Sequence, residues 1–190
     1  MPRIGLDLPA VIRAATEIAD AQGLEAVTLA SLAQKLQIRS PSLYNHVNGL
    51  PELRRQLALS GLTQMSELFA SALAGKTGDE AIRAFSYAYL DFARAHPGLY
   101  EAVQRAVDPD DNRLQEAAGS VVGMAVNALE VYGLRGEAAI HAVRGLRSFL
   151  HGFANLEKQG GFGIPLDLDV TFRLIIDTFL AGVKAMQAEE

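Results

Sequence analysis

The chain contains no cysteine. That excludes a disulfide framework, a thiolate nucleophile and a zinc–thiolate site. No stretch approaches the roughly eighteen consecutive apolar residues a membrane-spanning helix needs, so no membrane partner is expected. The opening MPRIGLDLPAV has one early arginine but neither a long apolar core nor a small-residue cleavage site. It does not read as a signal peptide, and a cytoplasmic location is the default expectation. Apolar and polar residues nowhere alternate with period two over a useful length, so no sheet is predicted. Signatures of chemistry are scarce too: there is no ExxH metal-ligand pair and no glycine-rich phosphate loop. Glu137 and His141 share a helical face, but one such pair is more often a surface ion pair than a site. No catalytic residue, metal or cofactor is expected.

What is present fits a folded protein. An apolar content of 49% with 21% charged residues is too apolar for disorder. The net charge of −5 argues at first sight against nucleic acid. Its distribution is uneven, however. Residues 28–56 hold Lys35, Arg39, Arg54 and Arg55 against Glu52, a local +3, whereas residues 57–190 hold 11 basic and 17 acidic residues, a local −6. Salt screens charges beyond roughly 8 Å, so a polyanion responds to the local field.

Hydrophobic spacing predicts helices throughout. Between Asp7 and Gln22, Leu8, Val11, Ile12, Ala15, Ile18 and Ala19 form one stripe, with Asp7 as cap and Gly23 as stop. Thr28 is a good N-cap for a second helix burying Leu29, Leu32, Ala33 and Leu36. Ser40-Pro41 opens a third, very short helix ending near Asn48-Gly49. Further helices are expected over about 50–74, 79–95, 97–107, 113–132, 136–159 and 167–187. The class is all-α, with about nine helices. Residues 1–49 are expected as one domain and 50–190 as a second.

The stretch TLASLAQKLQIRSPSLYNHV, residues 28–47, has the size and pattern of a helix-turn-helix. A capped helix is followed by a short turn carrying Ile38, then by a second helix that tucks Leu43 and Val47 against the first. Ser42, Tyr44, Asn45 and His46 are left facing outward, on a helix that is otherwise hard to explain in so apolar a chain. Helices of this kind enter the DNA major groove by their N-terminus, where hydroxyls and backbone N–H groups suit phosphate oxygens. Asn45 and His46 are candidates for base edges or phosphates. Taken singly, each residue has a plain structural reading: Ser40-Pro41 as a helix start, Tyr44 as a partly buried aromatic, His46 as a surface residue. At the turn, Gln37 stands where glycine is usual, and a left-handed backbone there would carry strain.

This arrangement resembles the tetracycline-repressor (TetR) family of transcriptional regulators. The resemblance extends to YLDFARAHPGLYEAV (89–103), VYGLRGEAAIHAVRGLRSFLHGFANLE (131–157) and GGFGIPLDLDVTF (160–172), which are similar to the C-terminal domain type of one branch, marked by its HPGLY segment. It implies a homodimeric regulator, usually a repressor that a small molecule releases from an inverted-repeat operator in duplex DNA. The family contacts carry over to Thr28, Ser40, Pro41, Ser42, Tyr44 and His46, and Arg39 and Asn45 join them as candidates. Many members have a lysine opening the next helix. Here that region reads NGLPELRR, so a phosphate contact there is absent or passes to Arg54 or Arg55, and Arg3 is a candidate N-terminal arm.

In the second half, Phe85, Tyr89, Phe92 and Tyr100 fall on or beside one helical face, near Met124 and Phe149. Such a stripe is more often core than cofactor box. Polar residues set among apolar ones, namely Asn127, His141, Arg144, Arg147 and His151, either satisfy each other or await a ligand. Phe85, Tyr89, Phe92, Met124, Asn127, His141 and Arg144 are therefore the candidate effector site. The last two helices are expected to form the dimer, with Phe172, Ile175, Ile176, Phe179, Leu180 and Val183 giving the final helix more apolar circumference than one core requires. A helical enzyme and an effector-independent DNA-binding protein are the alternatives.

Overall fold

A computed structural model describes residues 6–106 and 108–187 of the chain. Among them are eight α-helices, three short 3₁₀ segments and no strand: α1 (Leu8–Gln22), α2 (Leu29–Leu36), α3 (Gly49–Leu73), α4 (Gly78–Ala95), α5 (Pro97–Arg105), α6 (Asn112–Leu129), α7 (Gly136–Lys158) and α8 (Leu168–Gln187). The 3₁₀ segments are Leu24–Ala26, Ser40–Asn45 and Glu130–Tyr132. The expected all-α class holds. Two expectations fall outside the described residues: Arg3 as an arm, and Val107 as the end of α5. One element differs in kind, because the third, short helix is 3₁₀ rather than α. Six residues between a proline and an Asn-Gly turn leave little room for i→i+4 bonds, and such short pieces favour the tighter helix.

By compactness the chain divides into two units, residues 1–64 with 95–118, and residues 65–94 with 119–190. The first holds α1, α2, the Ser40–Asn45 segment, the first part of α3, α5 and the start of α6. Asp7 caps α1 by accepting from the Ala10 N–H at 2.8 Å, and the helix buries Val11, Ile12, Ala14, Ala15, Ile18 and Ala19. α3 packs closely on α5 at Gly61, where a Cβ would lie 2.5 Å from Val103 Cγ2, so only glycine fits unless Val103 shifts. Arg55 binds both carboxylate oxygens of Asp111, at 2.9 Å through Nη2 and by a second bond through Nε. Asp111 in turn accepts from the Arg113 and Leu114 N–H groups at the head of α6. The Arg55 guanidinium first, and these backbone donors after it, hold the Asp111 carboxyl at about 2.

The second unit is built on aromatic packing. Phe69 is fully buried, with ring centroids 4.6 Å from Phe85 and 6.3 Å from Tyr89. Phe172, also fully buried, meets Phe153 at 4.9 Å and Tyr87 edge-on at 5.3 Å. Asp79 accepts from Lys184 and from the Tyr132 hydroxyl, both at 2.7 Å, and the two donors lower its pKa. Arg94 joins Glu157 at 2.7 Å and Asp169 at 2.9 Å. Among the described residues no single helix is long and apolar enough to cross a membrane.

Candidate nucleic-acid interface

The site starts with a cap. The Thr28 hydroxyl accepts from the Ser31 N–H, and the Ser31 hydroxyl accepts from the Thr28 N–H, each at 3.0 Å. This reciprocal box fixes where α2 begins, and Leu32 and Ala33 hold the helix to the core. α2 ends at Gln37 with φ 55° and ψ 41°, the only left-handed non-glycine residue among those described. The Ile38 N–H then reaches back to the Ala33 carbonyl at 3.0 Å, closing the turn. The chain accepts the left-handed cost that glycine would avoid, as the turn pattern predicts.

Arg39 precedes the 3₁₀ segment in an extended conformation, and no side chain caps the segment's start; Ser40 is its first residue, not its cap. Pro41 lies in the first turn, where its missing N–H costs nothing. Backbone bonds from the Ser42 N–H to the Arg39 carbonyl and from the His46 N–H to the Leu43 carbonyl, both 2.9 Å, define the coil. Three residues per turn sort the side chains into rows. Leu43, fully buried, is flanked in its row by half-buried Ser40 and His46. Arg39, Ser42 and Asn45 form a second row, exposed at both ends. Tyr44 sits in the third, 59% exposed, while Val47 anchors the far end in the core.

Among the described residues, none hydrogen-bonds to the side chains of Arg39, Ser40, Ser42, Tyr44, Asn45 or His46. The neighbouring cations behave differently. Arg54 donates to Glu25 at 2.8 Å, Glu25 also binds Arg105, and Arg55 is taken by Asp111 and Glu52. Arg105 and Arg54 together lower the Glu25 pKa. Arg54 and Arg55, the two residues to which a phosphate contact would pass if it is present at all, each face a carboxylate. Sequence reading also missed Asp20, which joins His96 and the start of α5 across more than seventy positions. No local pattern in IADAQG signals such a bond.

The effector candidates are not brought together. Phe85, Tyr89 and Phe92 are core residues packed inside the second unit. Met124 and Asn127 line a separate groove of about 370 Å³ with Ala70, Leu73, Lys76 and Thr77. His141 and Arg144 stand on the exposed side of α7. The expectation that Asn127, His141, Arg144 and Arg147 are buried polar groups is corrected: all four are exposed, and His151 is half-buried. Alanine and glycine neighbours made the flanking sequence look apolar without shielding those side chains.

The last two helices are also partly reassigned. Phe172, Ile176, Phe179, Leu180 and Val183 are buried within the single chain. What α7 and α8 expose instead is Ile140, Phe149 and Leu156, with Val170, Leu174 and Met186. Along α7, a Cβ at Gly145 or Gly152 would meet nothing within 4 Å, so that side of the helix is open to close approach.

Comparison with known proteins agrees with this geometry. Residues 82–179 match the family described as the tetracyclin repressor-like C-terminal domain. The uncharacterized HTH-type transcriptional regulator YobS of Bacillus subtilis (strain 168) is 41% identical over 183 residues, covering 96% of this chain and 95% of that protein. Among solved structures, a protein of unknown function from Rhodococcus sp. RHA1 superposes with a TM-score of 0.82 at 19% identity, covering 96% of this chain and 98% of its own. A single-residue variant of TetR from Acinetobacter baumannii AYE, in complex with minocycline, gives 0.72 at 20% identity, with 96% and 98% covered.

Proposed function

We propose that this chain, which belongs to the TetR family of helix-turn-helix transcriptional regulators, works as a homodimeric repressor that reads an inverted repeat and leaves it when a small molecule binds. The observation that carries the reading is the Ser40–Asn45 segment, whose polar side chains find no partner among the described residues and which is held in place by a helix cap, a tight turn and the buried Leu43. A polar segment of this kind, led by Arg39, matches a groove lined with phosphates and base edges. Thr28, Ser40 and Ser42 are assigned to the phosphates that flank the segment, with Pro41 in apolar contact beside them. Arg39, Tyr44, Asn45 and His46 are assigned to phosphates or base edges within it.

A single segment reads only a few base pairs, so specificity requires two, related by a two-fold axis. The exposed apolar residues of α7 and α8 supply the surface for that pairing. For the effector, the groove beside Met124 and Asn127 is taken in place of the full expected set, because of those seven residues only these two line it. It is lined by apolar side chains with a few polar groups, as small-molecule sites are. The Acinetobacter TetR variant is in complex with minocycline, which supports a small-molecule ligand here without naming it or its place. A cytoplasmic setting follows from contact with DNA.

Selection of duplexes from a random-sequence pool, followed by footprinting, tests the reading. The expected product is an inverted repeat whose half-sites lie about one helical turn apart, roughly 34–36 Å, or a multiple of it. Uniform protection of any sequence would refute it.

A further inference from the structure

The start of α5 is capped from another helix. Pro97 occupies the first turn and has no N–H, and His96, the residue in the cap position, makes no side-chain cap bond. The free donors of that turn are met by Asp20 of α1. Its Oδ1 accepts from the Gly98 N–H at 2.9 Å and from the Leu99 N–H at 3.0 Å, while Oδ2 lies 2.9 Å from His96 Nδ1. The carboxylate also sits at the positive end of the helix dipole, largely shielded from water. Contact is closest at Gly98, where a Cβ would fall 2.1 Å from the Ala19 carbonyl carbon and oxygen, a distance no side chain survives.

The other end of α5 is fastened as well. Arg105 binds Glu25, which lies in the 3₁₀ turn joining α1 to α2, and Glu25 also holds Arg54 of α3. Both ends of α5 are thus tied to residues flanking the α1–α2 connection. Three residues beyond Glu25 comes the Thr28 cap that begins the helix-turn-helix.

We propose that Asp20 is a positioning residue for DNA reading: it fixes α1 to the start of α5, and so sets the orientation at which α2 and the Ser40–Asn45 segment are presented. The inference rests on the proposed DNA binding but makes a separate demand. Asp20 touches no DNA in this account, yet operator affinity depends on it. A residue that only stabilises the fold would lower the melting temperature and leave the affinity of folded molecules unchanged.

The absence of native cysteine makes the test direct. Spin labels on Arg13→Cys in α1 and Gln104→Cys in α5 report the distance between the two helices. In the otherwise wild-type chain a narrow distribution is expected, and adding Asp20→Ala is expected to broaden it. In unlabelled protein, at a temperature where circular dichroism shows both forms folded, Asp20→Ala is expected to weaken binding to the selected duplex by about tenfold, the worth of one charge-assisted hydrogen bond. Arg83→Ala, which breaks an ion pair with Asp177 in the other unit, serves as control and is expected to leave affinity unchanged. An unchanged distribution or unchanged affinity in folded Asp20→Ala overturns the proposal. If Asp20→Ala fails to fold, Asp20→Asn replaces the carboxylate by an amide of the same shape that cannot accept at both of its terminal atoms; broadening with weaker binding supports the proposal, and the lack of either overturns it. A wild-type protein that selects no duplex would instead refute the DNA-binding reading, and the distance measurement would still decide whether Asp20 holds α5.

Discussion

Two carboxylates placed two residues apart on α8 should fail in different ways. Leu174 is 55% exposed in the single chain, whereas Ile176 is fully buried. Leu174→Asp removes little from the chain's own core, so its effect on folding should stay within about 0.5 kcal/mol. If Leu174 lies in a two-fold seam, the substitution occurs twice in every dimer. Each copy loses the burial of about half a leucine and gains an unpaired charge at the interface, together about 2 kcal/mol. The two copies sum to about 4 kcal/mol, roughly a thousandfold in dimer Kd. Ile176→Asp instead puts a carboxylate into the unit's core at a cost of several kcal/mol, a large part of the roughly 5–15 kcal/mol typical of a folded domain. Sedimentation velocity and thermal melting by circular dichroism separate the two. The expected results are a folded monomer for Leu174→Asp and an unfolded or strongly destabilised chain for Ile176→Asp. A Leu174→Asp dimer as tight as wild type would refute α8 as the seam, and an Ile176→Asp chain melting like wild type would refute its burial.

Two further outcomes follow from the first unit. Gln37→Gly relieves a left-handed residue worth about 1–2 kcal/mol but adds about 0.5–1 kcal/mol of unfolded-state freedom. A net stabilisation of about 0.5 kcal/mol is therefore expected in urea titration, and a loss of stability would contradict the strain. Asp111 has its folded pKa lowered to about 2 from the ordinary 3.8, so its contribution is fully present above the unfolded value and is lost as pH falls through the folded one. Stability should drop between about pH 4 and pH 2, and Asp111→Asn should flatten that limb of the profile. An identical limb in the variant would show that other carboxylates control it.

The readable parts of this protein were those whose causes are local. Asp7, Thr28 and Gly23 mark helix ends because caps and stops act within a few residues, and the α1 stripe matches its buried face nearly residue for residue. Gln37 was legible as a left-handed residue because the turn between two packed helices demands one. The 3₁₀ character of Ser40–Asn45 was not, since the choice between the two helix types turns on fractions of a kcal/mol and on anchoring at both ends. Burial in the second half was hidden for another reason. Small residues beside Asn127, His141 and Arg144 raise the apolar content of the sequence without covering the polar side chains. Likewise the α8 residues best suited to a seam by hydrophobicity are consumed by Phe153 and the rest of the core, which leaves Leu174 outside. Asp20, Glu25 and Asp111 act through bonds to residues 56 to 80 positions away, beyond the reach of any periodicity.

That the segment from Arg39 to His46 reads DNA is tested by comparing wild type with a Tyr44→Ala, His46→Ala double variant on the selected duplex by fluorescence anisotropy. Tyr44 is largely exposed and His46 half-buried, with Leu43 and Val47 keeping the segment anchored, so helix content should not change. At about 1–2 kcal/mol for each lost hydrogen bond, affinity should fall by about 2–4 kcal/mol, roughly thirty-fold to a thousandfold. Wild-type affinity in a double variant with native circular dichroism would contradict the account.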